Sequence, residues 1–528
     1  MSQGAREGGA NMPMDGRYVA RSQGRQCKYT RVSENSPGNM MKIKNFTAIS
    51  LLSGLMLFCV SSSANDEFQQ WMQQQSQGVT AQKKEFQEYK DKRDKEFTDF
   101  LKAQWKAVDI VKGEVRDEAP KPDVMPIAPP VAETVVETEK PVVVSVPKPV
   151  VIKKPVPVPL AAVPKGRPIS INFFGKQVQF YYDASLKHRL SSPINKNAVS
   201  DYWSALSRAE YEELLKQLRA QKILLQLNDW AFASLVNKLA VAINNNRRNE
   251  SALLSWFLMA KSGYRARIAY DRTSIYLLVP SQHEMFEVSY FTFSGIRYYA
   301  VEFDGNKHKL GQVFTYDGEY PDTTKDFNMQ VTSVVASNDK DERRHLSFEF
   351  ESKKYNIDVA YDRGRVKFFS TYPQLNLDLY FSSGVYKVTA TPLQKQLAVH
   401  MQGMSEQQAV NFLLRFVQTS LQYETDEAQF GEENYLFPEE TLFYPYSDCE
   451  DRAILFAWLV KSLLNLQVVG LDYPGHVAAA VHFNEAVAGD SVSYKGKRYI
   501  VTDPTYINAN AGMTMPDFKK YKPTVINY

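Results

Sequence analysis

The sequence is poor in cysteine and histidine. Its 528 residues include three cysteines, Cys27, Cys59 and Cys449, and seven histidines that show no zinc-ligand spacing. We therefore expect no cofactor and no metal site. The first two cysteines precede a predicted cleavage site, which leaves Cys449 as the only thiol of the mature chain. One thiol cannot form an internal disulfide, and in an oxidising compartment it is expected to be buried or used in chemistry.

An excess of basic charge is missing once the N-terminal segment is set aside. The whole chain has 63 Lys and Arg against 59 Asp and Glu, a formal charge of +4. Residues 1–64 hold eight of these basic and three of these acidic residues, so 55 and 56 remain in the rest of the chain. A near-neutral chain lacks the overall basic surface typical of nucleic-acid binding, and we expect no nucleic-acid partner.

Long hydrophobic runs are also missing. The most apolar stretch, Phe46–Val60, is too short for a typical membrane-spanning helix. Lys42 and Lys44 precede this stretch, and the small residues Ser62 and Ala64 follow it. A basic start, a short apolar core and small residues at the end are typical of a secretory signal peptide.

This pattern assigns the signal peptide to residues 41–64, with cleavage before Asn65. We expect a periplasmic or secreted protein, and a retained N-terminal membrane anchor is the less favoured alternative. Residues 1–40 precede a good start methionine and are interpreted as an over-extended, unstructured start.

Two further segments precede the folded body. Residues 65–115 are polar, with apolar residues at helical spacing, and predict one amphipathic helix. Its stripe within residues 82–112 either docks on the protein's own body or mediates a helical partner or self-association, and both alternatives stay open. Residues 116–168 contain 13 of the 26 prolines, which predicts an extended Pro/Val-rich linker.

The remaining sequence predicts an α+β fold. Helical patterns are followed by strand patterns in residues 169–311 and again in 396–528, and residues 312–395 are almost entirely strand-like. The segments 249–262 and 449–462 are similar, as are the strands that follow them. We therefore predict two related modules separated by a β-rich module, with chance similarity of two α+β domains as the alternative.

Cys449 directly precedes an apolar helical pattern, which places it in the first turn of a helix. Unpaired N–H groups at a helix N-terminus favour a thiolate. Asp448, Glu450 and Asp451 oppose thiolate formation, however, because they add negative charge beside the sulfur. A reactive Cys449 would therefore need a base.

His476 opens the predicted strand HVAAAVHF, and Asp503 ends the strand YIVTD. A thiol, an imidazole base and a carboxylate that orients the base are the groups that acyl transfer requires. His482 has the same strand parity as His476 and is a rival base. Each group also has a structural reading: Cys449 as a small buried residue, His476 as a strand cap and Asp503 as part of a turn.

The stretches LQYETDEAQFGEENYLFPEETLFYPYSDCEDRAIL, YPGHVAAAV and YIVTDPTY resemble the bacterial and archaeal transglutaminase-like domain, which belongs to the papain-like cysteine enzymes. The resemblance covers residues 400–510, about a fifth of the chain. It implies a helix that bears the cysteine and packs on an antiparallel sheet. It also implies that Cys449 is the nucleophile, His476 the base and Asp503 the carboxylate that orients the base. Gln422 and Tyr423 are implied as oxyanion or substrate contacts.

The function implied by this resemblance is that of an exported cysteine enzyme. It would act on carboxamide bonds of a protein or peptide through a thioester, as a peptidase, amidase or acyl transferase. The alternative is a non-catalytic protein-binding module of the cell envelope that keeps a relic triad. In the first module, Asn249 or Ser251 is near the cysteine position, Ser274 near the histidine and Glu302 near the aspartate, so that copy is predicted to be inactive.

Overall fold

The computed structural model describes residues 62–114, 124–130, 142, 144, 165–303, 310–331 and 341–528. The over-extended start at 1–40 and the signal peptide at 41–64 lie outside the described residues, apart from 62–64, and so does most of the predicted linker. Residues 78–528 form one compact unit, and the described residues 62–77 fall outside it.

The first part of the chain begins with a long helix and continues into a strand, a hairpin, four helices and a sheet. These elements are α1 (Ser62–Ala103), β1 (Lys106–Val108), β2 (Arg167–Phe173), β3 (Lys176–Tyr182), α2 (Lys196–Ser207), α3 (Glu212–Leu224), α4 (Asp229–Ile243), α5 (Arg248–Lys261), β4 (Arg267–Tyr270), β5 (Ile275–Pro280), β6 (Tyr290–Phe293), β7 (Ile296–Val301) and β8 (Val313–Thr315).

The second part has a similar succession with extra short elements. They are β9 (Asp341–Phe350), β10 (Lys353–Asp362), α6 (Arg363–Phe369), α7 (Leu377–Ser382), α8 (Lys387–His400), α9 (Glu406–Ser420), β11 (Gln422–Tyr423), α10 (Asp426–Phe430), α11 (Pro438–Phe443), β12 (Tyr446–Ser447), α12 (Cys449–Leu464), β13 (Gln467–Tyr473), β14 (His476–His482), β15 (Ser491–Tyr494), β16 (Lys497–Thr502) and β17 (Thr524–Ile526).

The described strands form two larger antiparallel sheets. The first has the order β1-β8-β4-β5-β7-β6, and the second has the order β15-β16-β14-β13-β17. One apolar cluster of buried side chains runs through both parts of the chain, and two smaller clusters cover the outer faces of the sheets. The predicted α+β class with antiparallel sheets is confirmed at this level.

The two parts are repeats of one topology. Strands β8-β4-β5-β7-β6 of the first sheet correspond in order and direction to β17-β13-β14-β16-β15 of the second. The preceding elements correspond as well: α4 packs on β2 as α9 packs on β9, α3 packs on β3 as α8 packs on β10, and α2 packs on α5 as α7 packs on α12. Each repeat therefore starts at its hairpin, near residues 167 and 341, which is earlier than the sequence similarity indicated.

The prediction of a separate β-rich module at 312–395 is wrong. Strand β8 belongs to the first sheet, and the hairpin β9–β10 opens the second repeat. Residues 377–382 and 387–400 are helical instead of extended. In the stretch LDLYFSS the buried residues Leu377, Tyr380 and Phe381 have helical spacing, although Leu377, Leu379 and Phe381 also alternate as a strand would. A short apolar run fits both periods, and the packing of α7 on α12 decides between them.

The amphipathic helix ends earlier than predicted and docks on the body. Helix α1 stops at Ala103, because residues 106–108 pair with β8 as an edge strand. Phe97 and Leu101 are buried in the main apolar cluster, and the ring of Phe97 packs 4.7 Å from that of Trp203. Asp94 forms a buried ion pair with Lys261 of α5.

The other end of the apolar stripe is exposed. Phe86 is 61% exposed and Tyr89 is 45% exposed. Docking on the protein's own body therefore accounts for the stripe near Phe97. The exposed side chains of Phe86 and Tyr89 remain as the surface for the predicted helical partner or self-association of residues 82–112.

The predicted linker is not a free spacer throughout. Ala128 N donates a hydrogen bond to Ile507 O (2.7 Å), and Ile507 N donates to Pro126 O (3.0 Å). Ala128 is buried on the outer face of the second sheet, and Val142 N donates to Met404 O (2.8 Å). Backbone groups of the described linker residues thus pair with the second repeat, which the proline content alone did not indicate.

Candidate active site

Helix α12 presents Cys449 as its first residue. The helix forms because apolar residues occupy most of its positions, and the side chains of Ala453, Ile454 and Phe456 are fully packed in the core. Asp448 precedes the helix in an extended conformation and makes no side-chain cap. Cys449 is only 1% exposed, so the sulfur lies just beneath the surface of the helix N-terminus.

His476 and Asp503 lie together next to this helix end. A two-residue turn with Gly475 at φ 72° joins β13 to β14 and places His476 at the first position of β14. Asp503 follows the last residue of β16, the neighbouring strand. His476 Nε2 lies 2.8 Å from Asp503 Oδ2, and Thr505 N donates to Asp503 Oδ1 (2.9 Å). This arrangement fixes the carboxylate and, through it, the imidazole.

The other ring nitrogen of His476 is not hydrogen-bonded to Cys449, whose sulfur contacts Glu450 and Val477 instead. Its Nδ1 is buried and has no hydrogen-bond partner among the described residues. The ring of Phe518 stacks on the imidazole at 4.6 Å, which restricts its rotation. Cys449 and His476 line one cavity of about 500 Å³, together with Glu433, Tyr435, Glu450, Asp472 and Lys522.

The thiol itself is engaged by Glu450. Cys449 Sγ donates a hydrogen bond to Glu450 Oε2 (3.0 Å), and Val477 N donates to Sγ (3.5 Å). Burial, and then the carboxylates of Glu450 and Asp448, raise the pKa of the Cys449 thiol well above its ordinary value. Burial and these two carboxylates therefore favour the protonated thiol over the thiolate.

Four buried carboxylates surround the start of α12. Asp426 from α10 joins Asp448, Glu450 and Asp451, and sequence reasoning missed it because α10 is a separate element. Burial, followed by Asp451 and Glu450, raises the pKa of Asp426 to about 11, and burial with Glu450 raises the pKa of Asp448 well above its ordinary value. Neither oxygen of Asp448 has a hydrogen-bond partner among the described residues.

These acids are the residues that could hold a metal ion. Oxygen atoms of Asp426, Asp448 and Glu450 lie within 4.8 Å of one another. An all-oxygen donor set suits a hard divalent cation such as Ca²⁺. The sequence argument against a metal considered only cysteine and histidine spacing and did not weigh these carboxylates.

Arg452 ties the cysteine helix to the end of α9. Its guanidinium is fully buried and donates to the carbonyl oxygens of Val417, Gln418 and Leu421 at 2.9–3.3 Å. Burial lowers the pKa of Arg452 to about 10. The side chain therefore fixes two helices and does not form a direct ion pair with the acids at the start of α12.

The two predicted oxyanion or substrate contacts, Gln422 and Tyr423, lie outside the thiol cavity. Both belong to β11, which pairs in parallel with β12 just before Cys449. Tyr423 is half-buried with its ring 5.5 Å from the guanidinium carbon of Arg452, and burial has the largest effect in raising its pKa. Gln422 is exposed and does not line the cavity that contains Cys449. Tyr423 does not line this cavity either, so the structure brings neither residue into it.

The rival base His482 lies at the opposite end of β14. Its Nδ1 is 2.9 Å from the carbonyl oxygen of Arg498, and its side chain does not line the thiol cavity. Among the two histidines of this strand, the structure places only His476 near Cys449.

The first repeat has different residues at the same three positions. Ile275 N donates to Asn249 Oδ1 (2.9 Å), as Val477 N donates to the sulfur of Cys449. Asn249 therefore stands where the second repeat has its thiol, and Ser274, which precedes Ile275, stands where it has His476. Ser251 instead bonds its own helix, with Oγ donating to Arg247 O.

The strand register completes this correspondence. Leu277 pairs with Val301 in the first sheet, and Ala479 pairs with Thr502 in the second. The next residues, Glu302 and Asp503, are therefore equivalent. Glu302 is paired with Arg248 at 2.7 Å. With Asn249 and Ser274 at the other two positions, the first repeat has no thiol–imidazole pair there.

Comparison with known protein families, with curated proteins and with solved structures gave no match in any of the three. Among the described residues, no helix is long and apolar enough to cross a lipid bilayer.

Proposed function

We propose that the protein is a thiol-dependent enzyme that acts on carboxamide bonds of a protein or peptide through a thioester on Cys449. One observation carries this proposal: His476 is held by Asp503 through Nε2, keeps Nδ1 without a described partner, and shares a cavity with the thiol. Nucleophile, base and orienting carboxylate in this relation are the groups that acyl transfer uses.

In the proposed reaction, His476 Nδ1 accepts the proton of the Cys449 thiol, and the thiolate attacks the carbonyl carbon of the carboxamide. The C–N bond then breaks, and the leaving amine takes the proton from the imidazolium, which gives a thioester and a free amine. Water completes a hydrolysis and an amine completes a transfer, with His476 accepting a proton from either one. Asp503 keeps the ring proton on Nε2 and stabilises the imidazolium.

The hydrogen bond between Cys449 and Glu450 has to break before this reaction starts. Glu450 raises the pKa of the thiol, so the proton must pass to His476 and not remain shared with the carboxylate. We propose that the thiol leaves Glu450 and passes its proton to His476 when substrate enters the cavity of about 500 Å³.

We further propose that the second repeat is a transglutaminase-like, papain-like core. A helix that carries the cysteine and packs on β13 and β14 of an antiparallel sheet supports this. Export to the periplasm or the medium remains a proposal that rests on the sequence of residues 41–64 alone.

The proposal is tested with the full chain, succinylated casein and a fluorescent primary amine. Mass spectrometry would follow peptide cleavage, glutamine deamidation and amine incorporation, which separates the three reaction types. Cys449→Ser and His476→Ala should abolish all turnover, whereas His482→Ala, a matched change on the same strand, should retain it. Turnover that survives in Cys449→Ser would refute the thiol mechanism.

A non-catalytic binding module is the second candidate. The raised pKa of the Cys449 thiol and the residues of the first repeat favour it. Under this alternative, wild-type protein would show no turnover and no thioester with any glutamine-containing protein, and Cys449→Ser would bind the same proteins as wild type.

A further inference from the structure

Gln418 lies on α9 and makes an unusual set of contacts for one side chain. It is fully buried, and its Nε2 faces three backbone oxygens: those of Asp503 (3.1 Å), Tyr506 (2.7 Å) and Ala509 (3.1 Å). Its Oε1 accepts a hydrogen bond from Arg415 Nε (3.1 Å). This last contact orients the amide so that its nitrogen points at the loop.

The three oxygens belong to the loop that follows β16 and begins with Asp503. The loop is turned inward, since Tyr506 N donates to Asp503 O and Ala509 N donates to Tyr506 O. One amide group therefore holds the backbone of the residue whose carboxylate fixes His476. Without the Gln418 donor, Asp503 O and Tyr506 O would each keep one backbone donor, whereas Ala509 O would lose its bond to Nε2, and a buried carbonyl is costly to leave unpaired.

The backbone of Gln418 is bound to the other half of the site. Arg452, three residues after the thiol on α12, donates to Gln418 O at 3.2 Å. Gln418 thus connects the cysteine helix, through its carbonyl, with the Asp503 loop, through its side chain.

The first repeat provides an internal comparison. Helices α4 and α9 have 15 residues each, and both occupy the same place in their repeat. The thirteenth residue is Gln418 in α9 and Val241 in α4. Valine cannot donate a hydrogen bond, and in that repeat Glu302, the counterpart of Asp503, is paired with an arginine. The donor is therefore present in the repeat that has the histidine and absent from the other.

We propose that Gln418 is a positioning residue for the reaction of Cys449, and that it acts by holding Asp503 in reach of His476. This inference rests on the proposed function. Its distinctive consequence is that removing the donor should matter only while Asp503 is able to orient the base.

The test uses the full chain with Gln418→Glu, alone and combined with Asp503→Asn. Glutamate keeps the size of the side chain and the contact with Arg415 but removes the Nε2 donor. Asn411→Ala is the matched control, because Asn411 lies on the same helix and accepts a hydrogen bond from Ala511 N (2.8 Å), outside the 503–509 loop. Turnover of succinylated casein and hydrogen exchange of peptides covering residues 503–509 are measured for each variant.

We expect Gln418→Glu to lower kcat by about 100-fold with little change in KM, because small displacements of a catalytic group have effects of this size. In the Asp503→Asn background the same change should lower kcat by less than about threefold, since coupled residues are not additive. Exchange in 503–509 should rise in Gln418→Glu, and Asn411→Ala should alter neither kcat nor this exchange.

Equal fold-losses in both backgrounds would overturn the inference, because Gln418 would then act independently of Asp503. Unchanged exchange in 503–509 would overturn it as well. If wild-type protein turns over no substrate, the proposed function fails, and the exchange measurement alone decides whether Gln418 holds the loop.

Discussion

Cys449 Sγ donates a hydrogen bond to Glu450 Oε2, the carboxylate of the next residue in the chain, at 3.0 Å. A thiol that binds a carboxylate in this way is in its protonated form. Burial has the largest effect on the pKa of Cys449, and Glu450 is the next largest cause. Glu450 therefore opposes formation of the Cys449 thiolate, second only to burial.

We predict that Glu450→Gln makes Cys449 more reactive toward a small alkylator. The change removes a negative charge at hydrogen-bond distance, which lowers the pKa of the thiol and increases the thiolate fraction near neutral pH. A decrease of one pKa unit would accelerate iodoacetamide labelling by about tenfold. The rate of adduct formation, followed by mass spectrometry, measures this effect.

Glu433→Gln is the matched control for this prediction. Glu433 lines the same cavity but is not among the groups that raise the pKa of Cys449. Equal acceleration in both variants would show that general charge in the cavity matters and that the contact between Sγ and Glu450 does not.

Replacement of Asn249 by alanine should reduce stability without affecting turnover. Asn249 uses both ends of its amide, with Nδ2 donating to Thr273 O (2.9 Å) and Oδ1 accepting from Ile275 N (2.9 Å). Loss of these bonds in a half-buried site should cost about 1 kcal/mol in the free energy of unfolding. Thermal unfolding measures the loss, and casein turnover should stay within about twofold of wild type. A tenfold decrease in turnover would show that the first repeat takes part in the reaction.

Several features of the site were predictable because short motifs carry them. Cys449, His476 and Asp503 each stand at the start or end of a helix or strand, where sequence patterns are easiest to recognise. The equivalence of Asn249, Ser274 and Glu302 was also indicated, since the repeats keep similar spacing between helix and strands. Whether these residues perform the proposed reaction stays a prediction.

Other features depended on long-range packing and could not be predicted. Gln418 looks like an ordinary helix residue, and only the folded loop shows that it holds three carbonyls. Asp426 precedes Cys449 by 23 residues, and α10 brings its carboxylate within 4.8 Å of those of Asp448 and Glu450. Ala128 lies in a proline-rich stretch, and its pairing with Ile507 arises from the tertiary fold. The strand predicted at 377–382 failed because helical and extended periods coincide in so short a run.

Truncation of Phe97 on α1 should lower the stability of the protein strongly, whereas truncation of Phe86 on the same helix should hardly change it. Phe97 is 3% exposed and packs among aromatic rings, so Phe97→Ala should lower the free energy of unfolding by about 3–5 kcal/mol. Phe86 is 61% exposed, and Phe86→Ala should change it by less than about 0.5 kcal/mol. Chemical denaturation measures both changes.

The same pair separates the two interpretations of the helix. If residues 82–112 also mediate self-association, sedimentation at increasing concentration should show oligomers that Phe86→Ala dissociates. A monomer at all concentrations, with only Phe97→Ala destabilised, would leave intramolecular docking as the sole role of the stripe.

The last prediction concerns the buried charge of Asp448. Its carboxylate is fully buried, has no hydrogen-bond partner among the described residues, and has a pKa raised by burial and then by Glu450 and Asp426. The folded state therefore holds a proton that the unfolded chain has already lost above about pH 4. Stability should fall as the pH rises from there, because folding then requires either proton uptake or a buried charge.

Asp448→Asn should reduce this dependence, since asparagine is neutral and close in shape, and the part that remains comes from neighbouring acids such as Asp426. In the presence of a chelator we expect the variant to be more stable than wild type near neutral pH, by about 1–3 kcal/mol. The difference should shrink toward about pH 4, where the wild-type carboxyl is protonated in both states. Asp472→Asn, a change at a less buried acid of the thiol cavity, serves as the control.

A second experiment replaces the chelator with millimolar CaCl₂ and measures thermal unfolding again. It decides whether a bound cation neutralises the buried carboxylates of the wild type. If CaCl₂ raises the stability of the wild type but not that of Asp448→Asn, a cation neutralises these carboxylates. If Asp448→Asn is less stable than wild type in the chelator at every pH, burial of the Asp448 carboxylate does not destabilise the fold and the prediction is wrong.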